Sequence, residues 1–139
     1  MKSQKISIGV IGVGHLGQHH VKHYSNMKNI NLLGVYDTDS VRGKKIATIY
    51  DTKYFEKANE LMQKCDAISI VTPTESHYDV ANSAISNFNC NVFIEKPITE
   101  TIIQADKLIE EAKKRGLIIQ VGHIERLNPA LRVLDKYNL

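Results

Sequence analysis

The apolar residues of this chain fall into short continuous runs, and longer stretches of mixed polarity separate those runs. Continuous apolar runs, unlike alternating ones, are typical of strands that are buried on both faces of a parallel sheet. The pattern predicts strands over residues 5–11, 30–36, 67–71, 91–94 and 117–121, and a short one near 53–54 is compatible with it.

The stretches between these strands carry apolar residues at helical spacing. They predict helices over residues 17–27, 40–50, 57–64, 76–87 and 100–114. In the last of these, Ala105, Leu108, Ile109 and Ala112 repeat at i, i+3, i+4 and i+7, and Gly116 supplies the stop. Alternating strands and helices imply right-handed crossovers, so the chain is predicted to form an α/β, doubly wound, mostly parallel sheet.

Ligands of doubly wound sheets bind beyond the carboxyl ends of the strands, so the residues after each strand indicate function. The first strand is followed by a G-x-G-x-x-G pattern, in which His15 and Leu16 separate the second and third glycines. Gly12 can adopt the dihedral angles of a tight turn, and Gly14 lets a pyrophosphate approach the backbone. Gly17 lets the next helix pack closely, and the helix N-terminus offers free N–H groups to the phosphates.

Asp37 ends the second predicted strand and lies twenty residues after Gly17. Dinucleotide-binding folds place an acidic residue at about this distance, where it holds a ribose hydroxyl. The alternative is a helix cap, since Asp39 and Ser40 follow and open the next predicted helix. The glycine pattern alone is weak evidence, but together with the acid it indicates a dinucleotide site. A carboxylate repels a 2′-phosphate, which predicts NAD rather than NADP, although Arg42 could reach such a phosphate.

A proline turn follows the strand predicted over residues 67–71. Pro73 cannot extend a central strand, and its neighbours Thr72 and Thr74 bring two hydroxyls to the crevice. These residues are candidates for cofactor binding. A plain connection, with Ser76 capping the next helix, fits the same sequence equally well.

A charged pair and a second proline follow the strand predicted over residues 91–94. Charged side chains at the end of a buried strand need water, a partner or a ligand to satisfy them. Glu95 can accept a hydrogen bond from a ribose hydroxyl, and Lys96 can donate to a substrate oxygen or relay a proton. Pro97 makes the turn rigid. The alternative is a solvated ion pair at the rim of the sheet.

Three polar residues follow the last predicted strand, namely His123, Arg126 and Asn128. They are candidates for substrate contacts, because this strand end borders the same crevice. The alternative is a linker into another element, since Pro129 can open a helix over residues 130–137.

The remaining histidines lie on the first predicted helix. His15, His19 and His23 recur every four residues and form one stripe, which favours a solvated polar face over a metal site. We therefore predict no metal. His20 lies on another face, toward the sheet, where we expect a hydrogen bond to the Pro73 turn.

Composition narrows the class of protein. The chain has 139 residues, 42% of them hydrophobic and 24% charged, which suits one folded domain. A net charge of +3 is too small to indicate binding to nucleic acid or to a membrane surface. The two cysteines, Cys65 and Cys90, are fewer than a secreted disulfide scaffold of this size carries, and no signal peptide precedes the first strand. These features predict a cytoplasmic location.

The strand-end motifs together resemble the N-terminal NAD(P)-binding domain of the glucose–fructose oxidoreductase / inositol dehydrogenase / rhizopine-catabolism (Gfo/Idh/MocA) oxidoreductase family. The resemblance covers nearly the whole chain and rests on the glycine pattern with His20, Asp37, Thr72-Pro73-Thr74 with His77, and Glu95-Lys96-Pro97. It implies a Rossmann fold and a nicotinamide dinucleotide as cofactor. The cofactor-binding residues that it implies are Gly12, Gly14, His15, Leu16, Gly17, Asp37, Thr72, Pro73, Thr74, His77, Glu95, Lys96 and Pro97.

The resemblance also implies a reaction. Members transfer a hydride between the nicotinamide and a hydroxyl of a sugar or nucleotide-linked sugar, and Lys96 would be the catalytic residue that orients or protonates the reacting oxygen. The stretch over residues 122–129 looks like members that act on nucleotide-linked sugars, although Leu127 stands where an aromatic residue is expected.

The family's chains continue into a second α/β domain, which supplies most of the substrate pocket. We therefore expect residues 1–124 to form the cofactor domain, and residues 125–139 to form a helix that leads toward an absent substrate domain. A truncated NAD(P)-dependent dehydrogenase with little or no activity alone is the expectation. The alternatives are a free-standing nucleotide-binding or redox-sensing module, and a CoA or adenylate binder that shares only the glycine pattern.

Leucines at helical spacing follow the last strand. Leu127, Leu131 and Leu134 fall at i, i+4 and i+7, which predicts an apolar stripe that packs on another surface. We expect concentration-dependent self-association and a homo-oligomer.

Overall fold

The computed structural model describes residues 5–133, and all strands of its sheet run parallel. The strands are β1 (Ile6–Ile11), β2 (Ile30–Tyr36), β3 (Lys53–Tyr54), β4 (Ala67–Ile70), β5 (Asn91–Ile94) and β6 (Ile119–Val121). Their order across the sheet is β3-β2-β1-β4-β5-β6. The chain therefore builds outward from β1 in one direction and then in the other, which confirms the predicted doubly wound sheet.

Helices connect the strands. They are α1 (Gly17–Asn26), α2 (Ser40–Ile49), α3 (Ala58–Met62), α4 (His77–Phe88), α5 (Ile102–Arg115) and α6 (Pro129–Arg132), with short 3-10 helices at Thr74–Ser76 and Ile124–Leu127. The predicted helices differ from these by a few residues at their ends. The helix predicted over residues 130–137 begins one residue earlier, and its last residues lie outside the described part of the chain.

Both faces of the sheet are covered. Val10 and Val35 pack against α1 and α2 on one face, in a cluster that includes Val21. Ile11 and Ile70 belong to the cluster on the other face, where α3, α4 and α5 supply the helical side. Burial of alternate strand residues on opposite faces explains why the strands are continuously apolar instead of alternating.

Helix α5 shows one departure from the predicted apolar stripe. Leu108 and Ala112 are buried, but Ile109 is 52% exposed. The helix packs chiefly against α4 and lies at the β6 edge of the sheet, so its outer flank has no covering element within the described residues. A capping box at Thr101 begins α5, and Gly116 ends it with φ of +67°.

Candidate functional site

The carboxyl ends of β1, β2, β4 and β5 border a cavity of about 480 Å³. It lies where the strand order reverses, the position at which doubly wound sheets bind ligands. Eleven residues predicted for the site line it, namely Gly12, Gly14, His15, Leu16, Asp37, Thr72, Pro73, Thr74, His77, Glu95 and Lys96. Gly17 and Pro97 lie outside the lining but next to it in sequence.

The glycine pattern forms the turn between β1 and α1. Gly12 has φ of +85°, and a Cβ at this position would lie 2.6 Å from the carbonyl oxygen of Val71. A Cβ on Gly17 would meet the carbonyl oxygen of Gly12. A Cβ on Gly14 would meet no atom within 4 Å, so the backbone there is open to the cavity. The open position is the one at which a phosphate could approach the loop.

Asp37 is buried at the end of β2, and its carboxylate accepts four hydrogen bonds. Oδ2 accepts from the backbone N–H of Val13 at 2.8 Å and from Nε of Arg42 at 3.1 Å. Oδ1 accepts from the backbone N–H of Asp39 at 2.8 Å and from Nη2 of Arg42 at 2.7 Å. Burial opposes the charged form, but the hydrogen bonds from Arg42, Val13 and Asp39 outweigh it and hold the pKa of Asp37 below its ordinary value.

Asp39, not Asp37, caps helix α2. Its side chain accepts from the backbone N–H of Arg42 at 3.0 Å. The alternative in which Asp37 caps a helix is therefore wrong. Its carboxylate is instead joined to the glycine turn by the hydrogen bond from the backbone N–H of Val13. Arg42 also lines the cavity, because it lies in the first turn of α2, next to the end of β2.

His77 joins two turns of the site. Its ring is buried, with Nδ1 2.8 Å from the carbonyl oxygen of Pro97 and Nε2 2.9 Å from that of Thr72. One side chain therefore connects the end of β4 to the end of β5. His77 is the first residue of α4, so the beginning of this helix is fixed to the cavity.

Ser76 occupies the N-cap position of α4, but its side chain makes no cap hydrogen bond, which corrects the alternative given for this residue. Its hydroxyl lies 2.8 Å from Oγ1 of Thr72 and donates to the carbonyl oxygen of Pro73 at 2.9 Å. The 3-10 helix Thr74–Ser76 turns this hydroxyl back toward its own turn, so it stabilises the turn instead of the helix end.

Glu95 is directed toward α1. Its Oε1 lies 3.0 Å from Nε2 of His20, and its Oε2 accepts from the backbone N–H of Lys96 at 3.3 Å. The side chain of Lys96 is exposed at the cavity, and its peptide bond to Pro97 is cis. The predicted alternative of a simple Glu95–Lys96 ion pair is not the arrangement found, since Glu95 pairs with His20.

The prediction that His20 binds the Pro73 turn is wrong. Its Nδ1 lies 3.0 Å from Oγ of Ser69, a buried residue of β4, and its ring packs edge-on against Phe93 of β5. Ser69 and Phe93 each lie one residue before the end of their strand, so His20 contacts the sheet below the turn. Ser69 was not recognised from the sequence, although a hydroxyl within an otherwise apolar strand was the available signal.

The residues predicted to contact substrate lie outside the cavity lining. His123 and Arg126 are exposed, and Asn128 caps α6 by accepting from the backbone N–H of Ala130 at 3.0 Å. Nδ2 of Asn128 also donates to Glu125 at 2.7 Å. Their role toward a substrate stays a prediction.

His15, His19 and His23 are all exposed, as a solvated stripe requires. Across residues 5–133 no three His, Cys, Asp or Glu side chains are grouped to hold a metal ion. In the same part of the chain, no helix combines the length and the apolar character needed to cross a membrane.

The sequence matches the Gfo/Idh/MocA family model, described as the NAD-binding Rossmann fold of an oxidoreductase family, over residues 6–123. This chain belongs to the Gfo/Idh/MocA family. The resemblance drawn from the strand-end motifs is thereby confirmed, and the cavity belongs to the NAD-binding domain of an oxidoreductase family.

Relatives of known activity lie within the family. UDP-N-acetylglucosamine 3-dehydrogenase of Acidithiobacillus ferrooxidans is 40% identical over 91% of this chain and 39% of the relative. scyllo-Inositol 2-dehydrogenase (NAD⁺) of Bacillus subtilis is 32% identical over 91% of this chain and 38% of that protein. A solved structure of the Acidithiobacillus enzyme has a TM-score of 0.90 and covers 96% of this chain and 43% of its own. The chain thus spans less than half the length of these relatives.

Proposed function

We propose that this chain is the cofactor domain of an NAD-dependent dehydrogenase that transfers a hydride between the nicotinamide and a hydroxyl of a sugar or nucleotide-linked sugar. The observation that carries the proposal is one cavity in which the glycine turn, Asp37 and Lys96 lie together. The relatives support the substrate class, because one acts on a nucleotide-linked sugar and another on an inositol.

The residues present fit a dinucleotide. The open backbone at Gly14 and the N-terminus of α1 suit a pyrophosphate. Asp37 lies on the β2 side of β1 and suits the adenosine ribose, whereas Thr72 and Lys96 lie on the β4 and β5 side. The second nucleotide, which carries the nicotinamide, would therefore lie against Thr72 and Lys96.

The bound cofactor would accept or deliver the hydride, and the chain's own residues would hold and orient the reactants. Lys96 lines the cavity on a turn that is fixed at Glu95 and His77. An ammonium at this place would donate a hydrogen bond to the reacting oxygen and would give it a proton when a carbonyl is reduced. In the reverse direction the neutral amine of Lys96 would accept the proton of the substrate hydroxyl. His123, Arg126 and Asn128 stay proposed substrate contacts that a further domain would complete, and the chain alone would have little or no activity.

Asp37 supports NAD as the preferred cofactor. A carboxylate at the end of β2 accepts from both ribose hydroxyls and repels a 2′-phosphate. Arg42 moderates this preference, because its guanidinium lies 2.7 Å from Asp37 and could turn toward a phosphate. We therefore expect measurable NADPH binding that is weaker than NADH binding.

Titration of the 139-residue chain with NADH, followed by nicotinamide fluorescence, tests the proposal. Saturable binding with enhanced emission is the expected result. Lys96→Met should keep ADP-ribose binding and reduce the nicotinamide emission change. A wild-type chain that is folded by circular dichroism and does not bind NADH would refute the proposed function.

A further inference from the structure

A partly buried chain of polar groups connects helix α1 to the turn that carries Lys96. His20 lies at its centre, with Nδ1 3.0 Å from Oγ of Ser69 and Nε2 3.0 Å from Oε1 of Glu95. The ring packs edge-on against Tyr24 and Phe93, at centroid distances of 6.2 and 5.4 Å. These contacts leave the ring one orientation.

The partners of His20 determine where its proton lies. Burial lowers the pKa of His20, and the nearby carboxylate of Glu95 offsets this only in part, so the neutral ring is favoured. A neutral imidazole has one donor and one acceptor nitrogen. An ionised carboxylate only accepts, so Nε2 donates to Glu95 and Nδ1 accepts from the hydroxyl of Ser69.

Glu95 in turn is held on three sides. His20 bonds Oε1, and the backbone N–H of Lys96 donates to Oε2 at 3.3 Å. On the third side lies Gly122, where an added Cβ would come within 3.0 Å of Oε1. The two hydrogen bonds and the close approach of Gly122 fix the position of the Glu95 carboxylate at the cavity lining.

We propose that His20 is a positioning residue that fixes Glu95 and, through the Lys96 amide, sets the place of the Lys96 turn. The proposal rests on the proposed function, since the position of Lys96 matters only if a nicotinamide lies beside it. It assigns Glu95 a role in holding the turn in preference to the ribose contact expected from the sequence.

The arrangement predicts an effect on one end of the cofactor only. The His20 chain reaches β4 and β5, whereas Asp37 lies on β2 at the other side of β1. Loss of the His20–Glu95 bond should therefore weaken contacts to the nicotinamide half and leave contacts to the adenosine half unchanged.

Two substitutions of His20 test separately the roles of its two ring nitrogens. The amide nitrogen of glutamine extends about as far from Cα as Nε2 of histidine, so His20→Gln keeps the donor to Glu95. The amide of asparagine extends only as far as Nδ1, so His20→Asn keeps a polar group near Ser69 and loses the donor to Glu95. His19→Gln and His19→Asn are matched controls at an exposed neighbouring position.

Two measurements follow each variant. The first is the backbone amide resonance of Lys96 in the ligand-free chain, by ¹H–¹⁵N NMR. The second is the pair of dissociation constants for NADH and for ADP-ribose, which lacks the nicotinamide. We expect His20→Asn to move the Lys96 resonance and weaken NADH binding about five- to tenfold, with ADP-ribose binding unchanged. His20→Gln should restore the resonance and most of the affinity for NADH.

Two results would overturn the inference. One is an unmoved Lys96 resonance in His20→Asn, and the other is an equal loss of NADH and ADP-ribose binding in both His20 variants, which indicates a general role in folding. The NMR measurement needs no cofactor, so it reports on the inference even if the wild-type chain binds no NADH. Failure of the proposed function is seen separately, in the wild-type titration.

Discussion

Arg42 donates two hydrogen bonds to Asp37, from Nε to Oδ2 at 3.1 Å and from Nη2 to Oδ1 at 2.7 Å. With the backbone amides of Val13 and Asp39, these bonds occupy all four acceptor positions of the carboxylate. A ribose can therefore bind Asp37 only if Arg42 moves aside. The Arg42 side chain is 45% exposed, so it is free to do so.

Arg42→Ala should change the preference between the two nicotinamide cofactors. Removal of the guanidinium frees two acceptor positions for the ribose hydroxyls and removes a cation that could bind a 2′-phosphate. We expect NADH to bind equally well or more tightly and NADPH to bind about tenfold more weakly, as measured by fluorescence titration. An equal loss for both cofactors would contradict this assignment of Arg42.

Asp37→Ala provides the reciprocal test. The variant loses the acceptors for the ribose hydroxyls and also the charge that repels a 2′-phosphate. NADH binding should therefore weaken more than NADPH binding. A larger loss for NADPH would show that Asp37 acts mainly by holding Arg42.

Alanine substitutions at two glycines of the G-x-G-x-x-G pattern should impair the protein for different reasons. A Cβ on Gly14 meets no protein atom, so Gly14→Ala should keep the fold and weaken NADH binding about tenfold, because the methyl group stands where the pyrophosphate approaches. A Cβ on Gly17 meets the carbonyl oxygen of Gly12, so Gly17→Ala should lower the free energy of unfolding by about 3 kcal/mol. Urea denaturation and NADH titration of both variants distinguish the two effects.

His20 should make stability depend on pH. Burial lowers the pKa of His20 in the folded chain below its ordinary 6.5, against the opposing effect of Glu95 and with smaller lowering effects from His23 and His19. The unfolded chain therefore binds a proton on His20 more readily than the folded chain. The contribution of neutral His20 to the free energy of unfolding is complete above pH 6.5 and is lost as the pH falls below 6.5. Urea denaturation at about pH 7.5 and about pH 5.5 should show a smaller decrease for His20→Gln than for wild type.

The control for this measurement is His19→Gln, whose side chain is exposed on the same helix. It should retain most of the wild-type dependence on pH, because His19 makes the smallest contribution to the lowered pKa of His20. If wild type, His20→Gln and His19→Gln all lose the same free energy of unfolding between the two pH values, the titration of His20 does not contribute to the pH dependence of stability.

The two thiols should be unreactive in the folded chain. Burial raises the pKa of Cys65 to about 12 and that of Cys90 to about 11, so the nucleophilic thiolate is scarce near neutral pH. Labelling with Ellman's reagent should be slow for native protein and rapid in urea. Rapid labelling of native protein would instead favour a thiol-based redox sensor.

The apolar residues after β6 should drive self-association. Leu127 is 73% and Leu131 is 47% exposed, whereas Leu134 of the predicted stripe lies outside the described residues. Light scattering should show a mass that rises with concentration, and Leu127→Gln with Leu131→Gln should reduce that rise. Val41→Gln removes an equally exposed apolar side chain from α2 and should have no effect. A wild-type monomer at all concentrations would contradict the prediction.

Local patterns determined most of the fold and the outline of the site. Continuous apolar runs predicted the parallel strands, and turn residues such as Gly12 and Gly116 marked where strands and helices end. The spacing between Gly17 and Asp37 was enough to assign both residues to one dinucleotide site. These features depend on residues that are neighbours in the chain and on the spacing of apolar residues in each strand or helix, and both can be read from the sequence.

The tertiary structure alone decided which polar groups meet. His20 and Glu95 are far apart in the chain, yet their side chains lie 3.0 Å apart. Helix α1 packs on β1 and β2, and the His20 side chain reaches from it to Ser69 of β4 and to Glu95 at the end of β5. The same holds for His77, which joins the turns at Thr72 and Pro97. Sequence patterns identify the end of each strand, but the partner of a side chain there depends on helix crossing and rotation, which packing of the whole core determines.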